Sequence, residues 1–356
     1  EMLNLSKKLK RLLRRSYSFL IDLINLVQGL FIYKNLGVTP EKSSLSLINL
    51  YCLTNGYSNS FLALIVKLFH RAYDFPSSSG VLGKLSSTQI NAITKLIRDN
   101  GYYVFDNLLS LEICQRLTNL ALSHECTVRD SLDPNIKVSV YNSDNPIATT
   151  YWLKEEDLIN NPDIQNLMTD MSILSIAQAY LEAPPVLDIV TMWWSTPISK
   201  KACSDSAQLY HFDMDRIKWL KFFIYLTDVN TDNGPHCYIS GSHRIGGKPK
   251  ELLKRGYARI PDEDMEKFYS KEDLIEVTGY RGTIIAGDTL CFHKGKPLTI
   301  SERLILELEF TNSLFGAPYQ KTNFYPNPSL RILEFIGKYK RIYSKFTFQK
   351  QPDSTL

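Results

Sequence analysis

The sequence predicts a mainly β body with flanking helices, an α+β chain. Three observations predict it. Apolar residues recur at helical three- and four-residue spacing over much of the first 122 residues and again over 164–181. From 186 to 311, short apolar runs rich in β-formers alternate with clusters of Gly, Asn, Asp and Pro. Aromatic residues make up 12% of the chain, 20 of them Tyr, a bias that suits strands and an aromatic-lined pocket. Helices first and short strands afterwards suggest an antiparallel double-sheet body, for which a jelly roll is one solution to exposed edges.

Residues 3–34 read as a helix, with Leu9, Leu12, Leu13, Leu20, Leu23, Ile24, Val27 and Phe31 on the helical period. Its apolar part is interrupted by Asp22, Asn25, Gln28 and Gly29, short of the about 20 apolar residues of a membrane span. It also lacks a signal peptide's small-residue cleavage site. Lys7, Lys8, Lys10, Arg11, Arg14 and Arg15 oppose only Glu1, whereas the rest of the chain has 35 bases and 36 acids. Two partners suit such an arm. One is an anionic membrane surface. The other, and the simpler expectation, is packing on the body or a partner chain with the basic end in water. A cytoplasmic protein is expected, with peripheral membrane contact through 3–34 left open.

Two further helices follow at 45–55 and 60–73, separated by Asn55-Gly56-Tyr57. Pro76 to Gly80 is the clearest linker. It divides a helical, basic region, 1–80, from a body over 81–320 and a basic helical tail over 321–356. Helices are expected at 87–99, with Ser87 as N-cap and Ile90, Ile93 and Ile97 on one face, at 110–122 and at 164–181. Strands are expected at 186–196, 220–226, 237–239, 281–286, 289–293 and 304–311.

With 356 residues, 44% hydrophobic and 22% charged, the chain can bury a sizeable core. Its cysteines (Cys52, Cys114, Cys126, Cys203, Cys237 and Cys291) form no CxxC pair. That points to reduced thiols, with no zinc knuckle. Nothing resembles a nucleic-acid module.

The informative triplet is His211-Phe212-Asp213. In an extended segment, residues i and i+2 project to one side, so His211 and Asp213 can converge on one ion. His293, from a distant strand, can supply a third ligand. Two imidazoles and a carboxylate can hold Fe(II) on one face and leave open positions opposite. Around them stand Asn233-Gly234-Pro235, Gly241-Ser242-His243, Gly287-Asp288 and, ten residues beyond His293, Arg303. Upstream, Ile97 to Ser110 reads as an opening strand and the start of a helix.

This series resembles the phytanoyl-CoA dioxygenase-like family of Fe(II)/2-oxoglutarate-dependent oxygenases, over roughly residues 85–315. The resemblance implies a distorted double-stranded β-helix (jelly roll, cupin-like) with the metal at its mouth. It implies Fe(II), 2-oxoglutarate and O2 as cofactors, with His211, Asp213 and His293 as ligands. Arg303, a planar fork suited to a carboxylate, would anchor the far end of 2-oxoglutarate. Ser301, on the same strand face, could add a donor, and Gln208, Trp194 and Thr289 could line the pocket. Lys221 is either an edge residue facing water, the favoured reading, or a second basic partner for the co-substrate. His236 and His243 follow turns, where backbone hydrogen bonds account for them, and stay outside the ligand set. His70 and His124 have no context.

Related halogenating enzymes replace the carboxylate with a small residue, so Asp213 argues for hydroxylation or another oxidation. The implied reaction is hydroxylation of an unactivated C–H bond in a small metabolite or biosynthetic intermediate, releasing succinate and CO2. Desaturation, epimerisation and cyclisation share the ligand set, and a silent binding protein of the same fold is the alternative. The segments 126–157, 200–206 and 245–276 are long connections expected around the mouth. The basic arm mildly favours an anionic or lipid-linked substrate, and the oligomeric state is left open.

Overall fold

The computed structural model describes residues 2–199, 202–318, 321–324 and 329–348. Within 321–356 it contains the helix Leu330–Lys338 and a parallel pair, Thr322–Phe324 with Phe346–Phe348.

Eleven strands build the body: β1 (Tyr102–Val104), β2 (Glu125–Ser131), β3 (Val138–Val140), β4 (Ala148–Leu153), β5 (Val186–Ser195), β6 (Trp219–Tyr225), β7 (His236–Ile239), β8 (Leu274–Val277), β9 (Ile284–Gly287), β10 (His293–Gly295) and β11 (Arg303–Thr311). Eight form an antiparallel sheet in the order β1-β9-β6-β11-β5-β4-β2-β3. The other three form a facing sheet, β8-β7-β10, extended by the bridges His211 to His293 and Tyr210 to Ile260. This is the expected mixed α+β body with a large antiparallel core.

The two-residue period of the strands sorts side chains between two layers. From β6, Leu220, Phe222 and Ile224 face the outer core, as do Leu304, Leu306, Leu308 and Phe310 of β11. That core is covered by α4 (Ser87–Asn100), α5 (Leu111–Ser123) and α8 (Met171–Leu181). The alternate residues of the same strands, Phe223, Tyr225 and Ile305, face the interior between the sheets, joined by Trp193, Tyr238 and Ile285. Arg303, Glu307, Glu309 and Lys221 share that parity, so the strand period carries four charged side chains inward.

The N-terminal helices α1 (Met2–Leu36), α2 (Glu41–Thr54) and α3 (Tyr57–Phe69) join a third cluster. Leu47, Leu50, Tyr51 and Leu62 pack there with Phe212, Trp219 and Phe292. Asn59 Nδ2 donates to the carbonyl of Ile217 at 3.0 Å. The turn between α2 and α3 places Asn55 and Gly56 at positive φ. Residues 76–80 are not a free linker: Ser79–Gly80 pairs with Gly83–Lys84, and Asp170 Oδ2 accepts from Val81 N at 2.8 Å.

Several local expectations are corrected. The helix at 164–181 is two helices, Pro162–Met168 and Met171–Leu181, because Asp170 caps the second by accepting from Ser172 N and Ile173 N, both at 3.0 Å. The N-cap of α4 is Ser86, one residue before the expected Ser87, in a capping box with Gln89. Residues 126–157, expected as a mouth connection, contribute strands β2, β3 and β4 to the large sheet. Residues 289–292 lie in a turn and the strand begins only at His293. Of the 200–206 loop, residues 200 and 201 lie outside the described residues.

Candidate metal centre

The triad is assembled by backbone pairing. His211 N donates to His293 O at 3.0 Å, His293 N returns to His211 O at 2.8 Å, and Asp213 N donates to Thr289 O at 2.8 Å. Phe212, between the two polar side chains, points the other way and is edge-on to Phe292 at 5.5 Å. Alternation therefore anchors the middle residue in the core and aims its neighbours inward.

One ligand atom from each of His211, Asp213 and His293 lies within 4.8 Å of the others, and all three side chains are buried. Nε2 of His211 is 3.7 Å from Asp213 Oδ1, and Nε2 of His293 is 3.7 Å from Asp213 Oδ2. Nδ1 of His211 faces the carbonyl of Leu209 at 2.9 Å, and Nδ1 of His293 that of Cys291 at 3.0 Å. A carbonyl only accepts, so each Nδ1 carries the proton and each Nε2 presents its lone pair. Burial lowers the His211 pKa to about 3, aided by His293, and burial lowers that of His293 as well. Both rings are neutral at pH 7, as a metal requires.

Burial alone would raise Asp213, but Lys221, helped by a hydrogen bond from Thr289, holds it well below the usual carboxylate range. Lys221 is not an edge residue facing water, which corrects the favoured expectation. It is buried, and its Nζ lies 3.1 Å from Asp213, 3.2 Å from Glu307 and 3.1 Å from Glu309. Burial pushes the Glu309 carboxyl up, against the pull of Lys221. Lys221 itself stays charged because three carboxylates outweigh its desolvation.

Arg303 starts β11 opposite Ser195 and is buried, with Nη2 donating to Ser195 Oγ at 3.2 Å. Its Nε and Nη1 have no hydrogen-bond partner among the described residues; nor do His236 Nε2 and Tyr238 Oη. Buried polar atoms are rarely left so, and a cation with two free donors fits the carboxylate of a dicarboxylate. The donor set and these atoms thus fit ferrous iron with 2-oxoglutarate.

The remaining expected residues divide. Thr289 touches the centre: its side chain hydrogen-bonds Asp213, and its Oγ1 accepts from Trp219 Nε1 at 2.6 Å. Gln208 is buried and fastens its own loop, Oε1 accepting from Cys203 N at 2.9 Å. Ser301 lies in the bend before β11, half-buried, so it does not share a strand face with Arg303; Ser195 occupies that place. Trp194 points to the outer core, where its Nε1 donates to Ala121 O; its neighbour Trp193 faces the interior, stacked on Trp152 at 4.6 Å.

His243 is held as expected, Nε2 against the carbonyl of Arg98 at 3.0 Å. His236 is not explained by backbone bonds: its ring lies in the interior, 4.3 Å from Phe223 and 5.6 Å from His293. Lys248 and Arg259 carry no signal in the sequence, where His236 reads as a turn residue. A signal existed for His236, which opens a strand two residues before the interior-facing Tyr238.

The phytanoyl-CoA dioxygenase (PhyH) family model matches residues 97–303. The chain belongs to this family, whose members depend on Fe(II) and 2-oxoglutarate and use O2. Among solved structures it is similar to AviO1 from Streptomyces viridochromogenes Tue57, at 15% identity over 64% of this chain and 96% of that one (TM-score 0.43). It is also similar to EctD from S. alaskensis with bound Fe, at 14% identity over 79% and 91% (TM-score 0.44). HygX from Streptomyces hygroscopicus, with nickel and 2-oxoglutarate bound, matches at 14% identity over 69% and 93% (TM-score 0.45). No curated protein matches the chain.

Proposed function

We propose that this chain is a dioxygenase that hydroxylates an unactivated C–H bond of a small metabolite or biosynthetic intermediate. His211, Asp213 and His293 hold the iron, and Arg303 receives the distal carboxylate of 2-oxoglutarate. The observation that carries the reading is the convergence of two neutral imidazoles and an ionised carboxylate beside a buried guanidinium with free donors. Bound iron with the co-substrate supplies O2 activation coupled to release of succinate and CO2. The chain's own residues fix the rest. Lys221 keeps Asp213 ionised, the backbone carbonyls of Leu209 and Cys291 set the imidazole tautomers, and the aromatic interior excludes water.

A further base lies within electrostatic reach of the ligands. Arg259 is near enough for its charge to lower the pKa of both His211 and His293, and its Nη1 is buried with no hydrogen-bond partner among the described residues. It borders a cavity of about 700 Å³ shared with Arg129, Lys137, Asp130 and Asp205. Arg129 lies 4.4 Å over the ring of Trp152, which stacks on the interior Trp193. These groups support an anionic small molecule as substrate.

Purified protein given Fe(II), 2-oxoglutarate and O2 should form succinate slowly without added substrate. His211→Ala should lower that rate by at least 100-fold, about 2.7 kcal/mol in barrier terms. Equal succinate formation by the variant would overturn the reading.

A further inference from the structure

The inward face of helix α1 is mixed: beside the buried Leu26 it carries a set of polar contacts to α2. Asp22 Oδ1 accepts from Ser46 Oγ at 2.8 Å and from Asn49 Nδ2 at 3.2 Å. Asn25 Nδ2 donates to Ser46 Oγ at 3.3 Å, and Ser43 Oγ donates to Asn25 O at 2.8 Å. The helices approach closely because Gly29 faces Ser43: a Cβ at 29 would lie 2.2 Å from Ser43 Oγ. Small residues at the contact and side-chain hydrogen bonds across it are how helices associate in lipid.

The outward face is apolar. Tyr17, Leu20, Ile24, Val27 and Phe31 are each 54–70% exposed. With Phe19, Ile21 and Leu23 beside them, the apolar arc spans about 200° of the helix at 3.6 residues per turn. A two-stranded coiled-coil seam is narrower. Helix α3 adds Tyr57, Phe61, Leu64 and Leu68, all at least half exposed. Between Tyr17 and Phe69 lie 17 of the 31 large hydrophobic side chains that are exposed among the described residues, a concentration that marks a contact surface.

The sequence continues α1 at its N-terminal end with Lys7, Lys8, Lys10, Arg11, Arg14 and Arg15. The segment Ser16–Leu36 is long and apolar enough to cross a membrane, but its position argues for another geometry. Its Leu26 packs into the cluster shared with the body, and Tyr33 is edge-on to Phe315 at 5.6 Å. A helix held against the body from Asp22 to Tyr33 can present only one side of that stretch to lipid.

We propose that α1, with the outer face of α3, lies in the plane of an anionic bilayer surface. The apolar arc sits among the acyl chains and the basic cluster among the headgroups. The catalytic body would then take substrate at the membrane surface.

The test is flotation of the full chain with phosphatidylcholine vesicles, with and without phosphatidylglycerol. The wild type should float with the anionic vesicles, less so at high salt. The double variant Ile24→Gln with Phe31→Gln alters two exposed positions, leaves the circular dichroism unchanged and should lose at least tenfold in partitioning. The triple variant Lys10→Gln, Arg11→Gln, Arg14→Gln should lose the preference for anionic vesicles. Absence of wild-type flotation, or equal flotation of the double variant, would overturn the proposal. Retention on vesicles through alkaline carbonate would overturn the in-plane geometry in favour of a span. A wild-type dimer dissolved by the double variant, without flotation, would assign the face to a second copy.

Discussion

Lys221 brings a positive charge into the barrel interior and sits among three carboxylates, one of which is the candidate ligand Asp213. Removing one partner of a buried ionic cluster costs about 3–5 kcal/mol, because the others remain desolvated. Lys221→Met should therefore destabilise the metal-free protein by about that amount in urea unfolding. A divalent ion replaces the missing charge beside Asp213, so Mn(II) should restore more stability to the variant than it adds to the wild type. Lys248 is a different case. It is buried with no carboxylate within ion-pair distance among the described residues, its Nζ donating to Tyr51 Oη at 3.0 Å and Ser242 O at 2.8 Å and lying 5.0 Å over Phe212.

Burial lowers the Lys248 pKa to about 8 from 10.5. Between those values the unfolded chain binds the extra proton, so stability rises with pH across that window and is flat below it. The difference in unfolding free energy between wild type and Lys248→Met should shift by about 3 kcal/mol in favour of the wild type from pH 8 to 10.5. A pH-independent difference would show that Lys248 titrates normally. The sequence made the ligand triplet legible because its i, i+2 spacing is local. Lys221 and Lys248 were not legible as they stand, since their partners lie 6 to 197 residues away and charge alone cannot tell burial from exposure.

At the scale of elements, helix caps carry more than local order. Asp170 ends the expected single helix, caps α8 and also accepts from Val81 N, so one carboxylate fixes a helix start and docks the segment that joins α3 to the body. Asp170→Ala should cost about 2–3 kcal/mol, combining a lost cap with an orphaned backbone donor. Chemical denaturation measures it, and a loss under 0.5 kcal/mol would remove the docking role. Strands dominated by apolar β-formers, β5, β6 and β11, were readable to within a residue or two. Strand β2 was missed because Glu125, Arg129 and Asp130 interrupt its pattern near the sheet edge, where one face meets water; β3 and β4 were missed with it, as short runs of three and six residues. The same edge position supplies Arg129 to the basic cavity.

For the whole molecule, the site depends on one long-range event: closing the 79 residues between Asp213 and His293 so that His293 meets the 211–213 pair. The backbone exchange between His211 and His293 sets that meeting before any ion arrives, so the site is preorganised and metal binding should not need refolding. Equilibrium binding of Fe(II) under anaerobic conditions, followed by metal analysis after desalting, tests this most directly. One ion per chain is predicted for the wild type, with loss of at least tenfold in affinity in His293→Ala. Undiminished stoichiometric binding by that variant, or no binding by the wild type, would contradict the account.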